Sequence, residues 1–278
     1  MKRLVPYPVR VELRRMARSA RWAIERPRPV RRRAAGPAAY PCLLVEHSSK
    51  LLRKVDPALS PLQRNKVHNL ELACAALDGL LMEPGEVLSF CATVGRTSRR
   101  CGYLDGLEMH NGVLQGAPGG GLCQLSNLIY WMALHLDLEI LERHRHGFDL
   151  FADDDRTVPF GMGATVFYNY VDFRFRNTLA QPLLLRVTVE PPLLRGGFYS
   201  NKQKPFDITI VETEHRFFRD EHGAVWRENR VSKEVAYLDG RPPVSAEIAH
   251  NLARVRYEVA EDLLSSRPGD EPGAAGRD

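Results

Sequence analysis

Apolar residues recur at helical spacing over 61–82, where Leu62, Val67, Leu70, Cys74, Leu77 and Leu81 form one stripe. That period predicts an amphipathic helix. Pro84-Gly85 closes it with a turn, and 87–91 follows as a strand. A second helix is predicted over 125–136, with Leu125, Leu128, Ile129 and Met132 on its apolar side and Cys123 on its first turn. Between these helices, 92–121 reads as a long Gly-rich connection, a kind of segment that is often functional. Residues 138–142 read as a strand. From about residue 164 the period becomes two: Val171, Phe173 and Phe175 face one way, Asp172, Arg174 and Arg176 the other. Further strands are predicted over 183–189, 207–212, 223–230 and 252–258. Helices first and strands after give an α+β class. In it, N-terminal helices and the Gly-rich, Cys-bearing helix pack on a mainly antiparallel sheet. Three segments are expected: an arm over 1–35, a domain over 36–262, and a disordered tail over 263–278, rich in Ser, Pro, Gly and acid. Within the domain the part to about residue 136 is helical, and the part after about residue 160 is mainly β.

Composition adds little to this outline. A chain of 278 residues suffices for one large or two small domains, and 44% hydrophobic with 26% charged residues is near the globular average. No apolar run approaches the ~18 residues of a membrane span, and no secretory signal is evident. Five cysteines without a C-x-x-C argue for a reducing, cytoplasmic compartment.

Charge is more informative. The net charge of +5 hides a segment, 1–33, with twelve Lys/Arg against Glu12 and Glu25, so that it carries +10 and the remainder −5. Leu13, Met16, Ala20 and Ile24 recur there at helical spacing, with Trp22 beside them. A basic amphipathic helix suits an anionic membrane face, which would place the protein at the inner leaflet. A solvated extension and a nucleic-acid arm are the other readings, although nothing else in the chain has a nucleic-acid pattern. Because the arm has little apolar surface, removing 1–34 is expected to leave the core folded.

The chemistry concentrates at Gly119-Gly120-Gly121-Leu122-Cys123-Gln124-Leu125-Ser126-Asn127. A thiol at a helix start meets unpaired N–H groups and a positive dipole end, which lower its pKa. A nucleophilic cysteine also needs a base and a group to orient that base. His144 and His146 follow the 138–142 strand, and Asp172 lies on a later one. Cys, His and Asp in this order resemble the arrangement of transglutaminase-like and papain-like enzymes. Gln124 and backbone N–H groups suit a developing oxyanion, and Asn127 lies one turn from Cys123. The bland alternative is a tight turn into a core helix with Cys123 as a small buried hydrophobe. His144-x-His146 with Asp153-Asp154-Asp155 is a loose metal spacing, and the nucleotide-loop ending is absent, so neither metal nor cofactor is expected.

The run Gly-Gly-Gly-x-Cys-Gln-x-Ser-Asn resembles the signature of the VanW family. Asn65-Lys66-Val67-x-Asn69-Leu70, Leu77-x-Gly79-Leu80-Leu81, Pro84-Gly85-Glu86-x-x-Ser89-Phe90, Asp105-Gly106-Leu107 and Asn111-Gly112 agree upstream. Asn127-Leu128-x-x-Trp131-Met132-x-Leu134-His135, Arg143-x-x-His146, Ala164-Thr165-Val166 and Asp172-x-x-x-x-Asn177 agree downstream. Gly163 departs from the aspartate common before Ala164-Thr165. The resemblance implies a cell-envelope or glycopeptide-resistance setting, and it makes His146 a better base than His144. Two functions follow as expectations. One is a cysteine-dependent acyl transferase or amide hydrolase, with Cys123 as nucleophile, His146 as base and Asp172 orienting it, acting on a wall-precursor-like peptide. The other is a non-catalytic accessory protein holding a ligand in a cleft walled by Gly119, Gly120 and Gly121, with Gln124, Asn127 and His144 nearby.

Overall fold

The computed structural model describes residues 6–25, 30, 32–34, 37–52, 56–110, 113–145, 147–149 and 157–265. The chain divides into two compact units, Met1–Arg145 with Gly163–Pro205, and His146–Met162 with Phe206–Asp278. The class is α+β, with mostly antiparallel sheets.

The first unit begins with helix α1 (Tyr7–Glu25) and strand β1 (Cys42–Lys50). Helix α2 (Ser60–Leu77), strands β2 (Leu80–Met82) and β3 (Val87–Ser89) and the short helix α3 (Phe90–Val94) follow. The hairpin β4 (Asp105–His110) and β5 (Val113–Pro118) leads to helix α4 (Cys123–Leu134) and strand β6 (Glu139–Glu142). After an excursion into the second unit, which carries β7 (Phe148–Asp149), the chain returns as β8 (Arg174–Arg176), β9 (Leu183–Glu190) and β10 (Leu193–Ser200). A four-stranded sheet has the order β1-β10-β9-β2, and a three-stranded one the order β3-β8-β6. The core lies where α4 packs on β1 and β10 and α2 packs on β9. Leu70, Leu77, Leu125, Ile129, Met132, Leu183, Leu185 and Phe198 are fully enclosed there.

The second unit is built on β11 (Phe206–Arg219), β12 (Val225–Tyr237) and β13 (Val244–Val255), an antiparallel meander with β7 added in parallel to β13. Its centre is polar. The buried Arg227 pairs with Asp149 at 3.1 Å, and its guanidinium stacks on Phe160 and Phe217.

Two expectations are corrected. The predicted helix over 61–82 ends at Leu77, and its last residues turn into β2. The supposed connection over 92–121 contains the β4–β5 hairpin. The N-terminal segment also bonds to the first unit. Arg33 donates to the carbonyls of Ala75, Ala76 and Asp78 at the end of α2, where orphan carbonyls and the negative dipole end favour a cation. Ala34 N–H donates to Gly79, and Leu81 N–H to Arg32. The predicted tail falls outside the described residues beyond Ser265.

Candidate functional site

The glycine run is a close backbone contact before it is anything else. Asn69 on α2 accepts from Leu104 N–H and donates to the carbonyls of Leu104 and Gly120, at 2.9 to 3.0 Å. A Cβ on Gly120 would lie 2.1 Å from the Gly106 carbonyl oxygen, and one on Gly121 would lie 1.9 Å from Cγ of Lys66. Gly120 and Gly121 are therefore packed between β4 and α2. Gly119 does reach a cleft, which is also lined by Cys91 and Val94 of α3, Glu108 of β4, Leu122, and the 166–168 segment.

Helix α4 then presents the signature side chains to main chain. Cys123 Sγ donates to the Val166 carbonyl at 3.7 Å. Gln124 Nε2 donates to Ser49 Oγ and to the Lys50 carbonyl, which ties the helix start to the end of β1. Ser126 Oγ donates to the Ala164 carbonyl at 2.6 Å, and Asn127 Oδ1 accepts from Ala164 N–H at 2.6 Å. Arg143 adds a bond from Nε to the Gly163 carbonyl, and Thr165 N–H donates to the His144 carbonyl. Five side chains and one backbone carbonyl thus fasten two neighbouring segments to α4 and its continuation. The departure at Gly163 faces the same contact: a Cβ there would meet Asn127 Oδ1 at 3.2 Å.

Of the two environments expected for Cys123, the structure favours the buried one over the thiolate at a helix start. The residue is half-buried, and burial pushes the thiol up to about 11 despite the bond to Val166. Glu108 nearby opposes a thiolate further. The magnitudes explain the outcome. A helix terminus contributes about 0.3–1 kcal/mol, whereas full burial shifts a pKa by as much as 3–5 units. The helical turn also opens before Cys123, with Gln124 N–H already bonded to Gly121 and Leu125 N–H to Leu122.

Asp172 is fully buried. It accepts from Ser89 Oγ at 2.5 Å, Cys91 N–H at 2.9 Å and Phe173 N–H at 2.8 Å. Ser89 in turn caps α3 by accepting from Ala92 N–H. Burial raises the Asp172 carboxyl above its ordinary range, and the bonds from Ser89 and Cys91 offset this only in part. His144 Nε2 lies 3.0 Å from Glu142, which forms a two-pronged pair with Arg18 of α1 at 2.6 Å. Burial alone would raise Glu142, but the bonds from Arg18 and His144 outweigh it and hold the carboxyl low. His146 and the run Asp153-Asp154-Asp155 lie outside the described residues. Sequence reasoning missed Cys91 and Glu108, which both line the cleft; neither sits in a recognisable spacing. Among the described residues no three His, Cys, Asp or Glu side chains gather as metal ligands.

Comparison with known proteins bears on this motif. The vancomycin B-type resistance protein VanW of Enterococcus faecalis is 30% identical over 202 residues, covering 72% of this chain and 73% of that protein. This chain belongs to the VanW-like family. The family described as VanW like protein matches residues 65–199, which include the Asn69 contact, the cleft and the whole α4 motif. YoaR, an uncharacterized protein of Bacillus subtilis, is 31% identical over 147 residues, covering 52% of this chain and 46% of that protein. No solved structure matches. The VanW-like segment ends at β10, so the β11–β13 meander lies beyond it.

Proposed function

We propose that this VanW-like chain is a non-catalytic accessory protein of the cell-envelope and glycopeptide-resistance setting, holding a wall-precursor-like peptide in the cleft beside Cys91, Glu108 and Gly119. The observation that carries the reading is the use of the signature side chains. Cys123, Gln124, Ser126 and Asn127 all bond to main chain or to β1. A nucleophile, an oxyanion donor and their neighbours need free atoms facing a substrate. Glu108 is a carboxylate among the described lining residues, and it suits a ligand bearing an ammonium group. The relative's connection with vancomycin resistance supplies the setting.

Binding of a synthetic wall stem peptide with a free amine tests the proposal. Saturable binding without turnover is expected, unchanged by Cys123→Ser, whose hydroxyl can still donate to Val166. Glu108→Gln should weaken it about tenfold, the loss of roughly 1.4 kcal/mol from one charged contact. Peptide-bond cleavage that disappears in Cys123→Ser would instead establish the acyl-transfer reading. That second reading draws on one observation: Cys123 opens α4 immediately after Leu122, a cleft residue.

Thiol reactivity separates the two independently. A thiol raised from 9.0 to about 11 has about 100-fold less thiolate at neutral pH. Cys123 should therefore alkylate with iodoacetamide more slowly than the exposed Cys101, as followed by peptide mass spectrometry. Labelling of Cys123 before all four other cysteines would overturn the accessory reading.

A further inference from the structure

Helix α1 is seated on the first unit by its polar side. Arg18 forms the two-pronged pair with Glu142, and Arg15 Nε donates to the Tyr168 carbonyl. Asn169, in the tight turn Phe167–Val171, donates to the Arg15 carbonyl and to Ser19 Oγ. Arg14 and Arg15 lie over the rings of Tyr170 and Phe167. Val11 is buried as well. Surface helices ordinarily turn an apolar stripe inward and a charged face outward. Here the order is reversed. Val9, Leu13 and Met16 are 48%, 55% and 67% exposed, and Ala20 is exposed with them. These positions, at i, i+4, i+7 and i+11, form a single outward stripe.

We propose that this stripe docks the protein on an anionic lipid surface. The chemistry of the segment selects that occupant. Residues 1–33 carry +10, which complements anionic headgroups and repels a second copy of the same segment. An apolar stripe on a basic helix has the composition of an interfacial helix, buried by about 5–10 Å in the headgroup boundary. The ion pair with Glu142 holds the helix so that the stripe faces outward before any membrane is met. Docking needs no detachment from the unit and leaves the Arg18–Glu142 bonds intact.

Co-sedimentation of the full chain with vesicles tests the proposal. Binding is expected to vesicles of mixed phosphatidylglycerol and phosphatidylcholine. It should be at least about tenfold weaker to phosphatidylcholine alone, and weaker in high salt, because screening acts within about 10 Å at 0.1 M. Leu13→Glu with Met16→Glu should lower binding to the anionic vesicles by about tenfold or more at an unchanged melting temperature, since both side chains face solvent. Equal sedimentation of this variant and the parent chain would overturn the proposal. So would a dimer in solution that the double variant dissociates while neither protein binds vesicles, since a second copy would then be the occupant.

Discussion

Gly120→Ala is expected to unfold the first unit under conditions where the parent chain is stable. The added Cβ would lie 2.1 Å from the carbonyl oxygen of Gly106 and 2.4 Å from its carbon. Both obstacles are backbone, so no rotamer change relieves them. Gly106 faces the same limit in reverse, its own Cβ falling 2.3 Å from the Gly120 oxygen. Relief requires the β4–β5 hairpin to move away from the start of α4, which would break the Asn69 bonds to Leu104 and Gly120. Overpacking of this kind costs about 1–3 kcal/mol where side chains can adjust, and more where they cannot. A loss of about 4 kcal/mol or a failure to fold is expected, and a partial loss would lower Tm by roughly 10 °C. Gly147→Ala is the control: among the described residues a Cβ there meets nothing within 4 Å, and its Tm should be unchanged. Equal melting of Gly120→Ala and Gly147→Ala would refute the packing account.

This contact shows what the sequence conceals. Glycine reads as a turn because it is conformationally permissive. Gly106 and Gly116 therefore made the β4–β5 hairpin look like a connection, and Gly196-Gly197 hid β10. Inside strands these residues mark places where another chain approaches closely. Strand β1 was invisible for another reason. Of its nine residues only Leu44 is buried, so it carries no alternation. The strongly periodic elements were legible: α2 and α4 start within two residues of their expected positions, and β9 almost coincides with 183–189. The family was legible from the spacing of the α4 motif, whose side chains fasten the helix to the end of β1 and to the 163–166 segment. The orientation of Cys123 was not. Whether a thiol at a helix start faces a cleft or a carbonyl depends on the 163–166 segment, some forty residues away in the chain.

Asp172 offers the sharpest separation between a catalytic carboxylate and one that builds the fold. Three donors converge on it from Ser89, Cys91 and Phe173, all in a buried setting. Asp172→Ala leaves those donors unpaired, and buried unsatisfied groups cost about 1–3 kcal/mol each. With partial relaxation, a destabilisation of about 3–5 kcal/mol is expected, detectable in denaturant melts. Asp172→Asn should behave quite differently. Its Oδ1 can still accept from Cys91 and Phe173, and its amide can donate to Ser89 Oγ. The pKa direction argues the same way. Burial raises the folded carboxyl above the ordinary value of 3.8, so the native state holds a proton more tightly than the unfolded chain. Stability then falls as pH rises from 3.8 to the folded value, and the neutral side chain is the better tolerated form. Asp172→Asn should therefore stay within about 1 kcal/mol of the parent and lose that pH dependence. A residue that orients a catalytic base would show the opposite pattern, with Asn as inactive as Ala. If Asn restores stability and stem-peptide binding together, Asp172 is the anchor that holds α3, and with it Cys91, against the cleft.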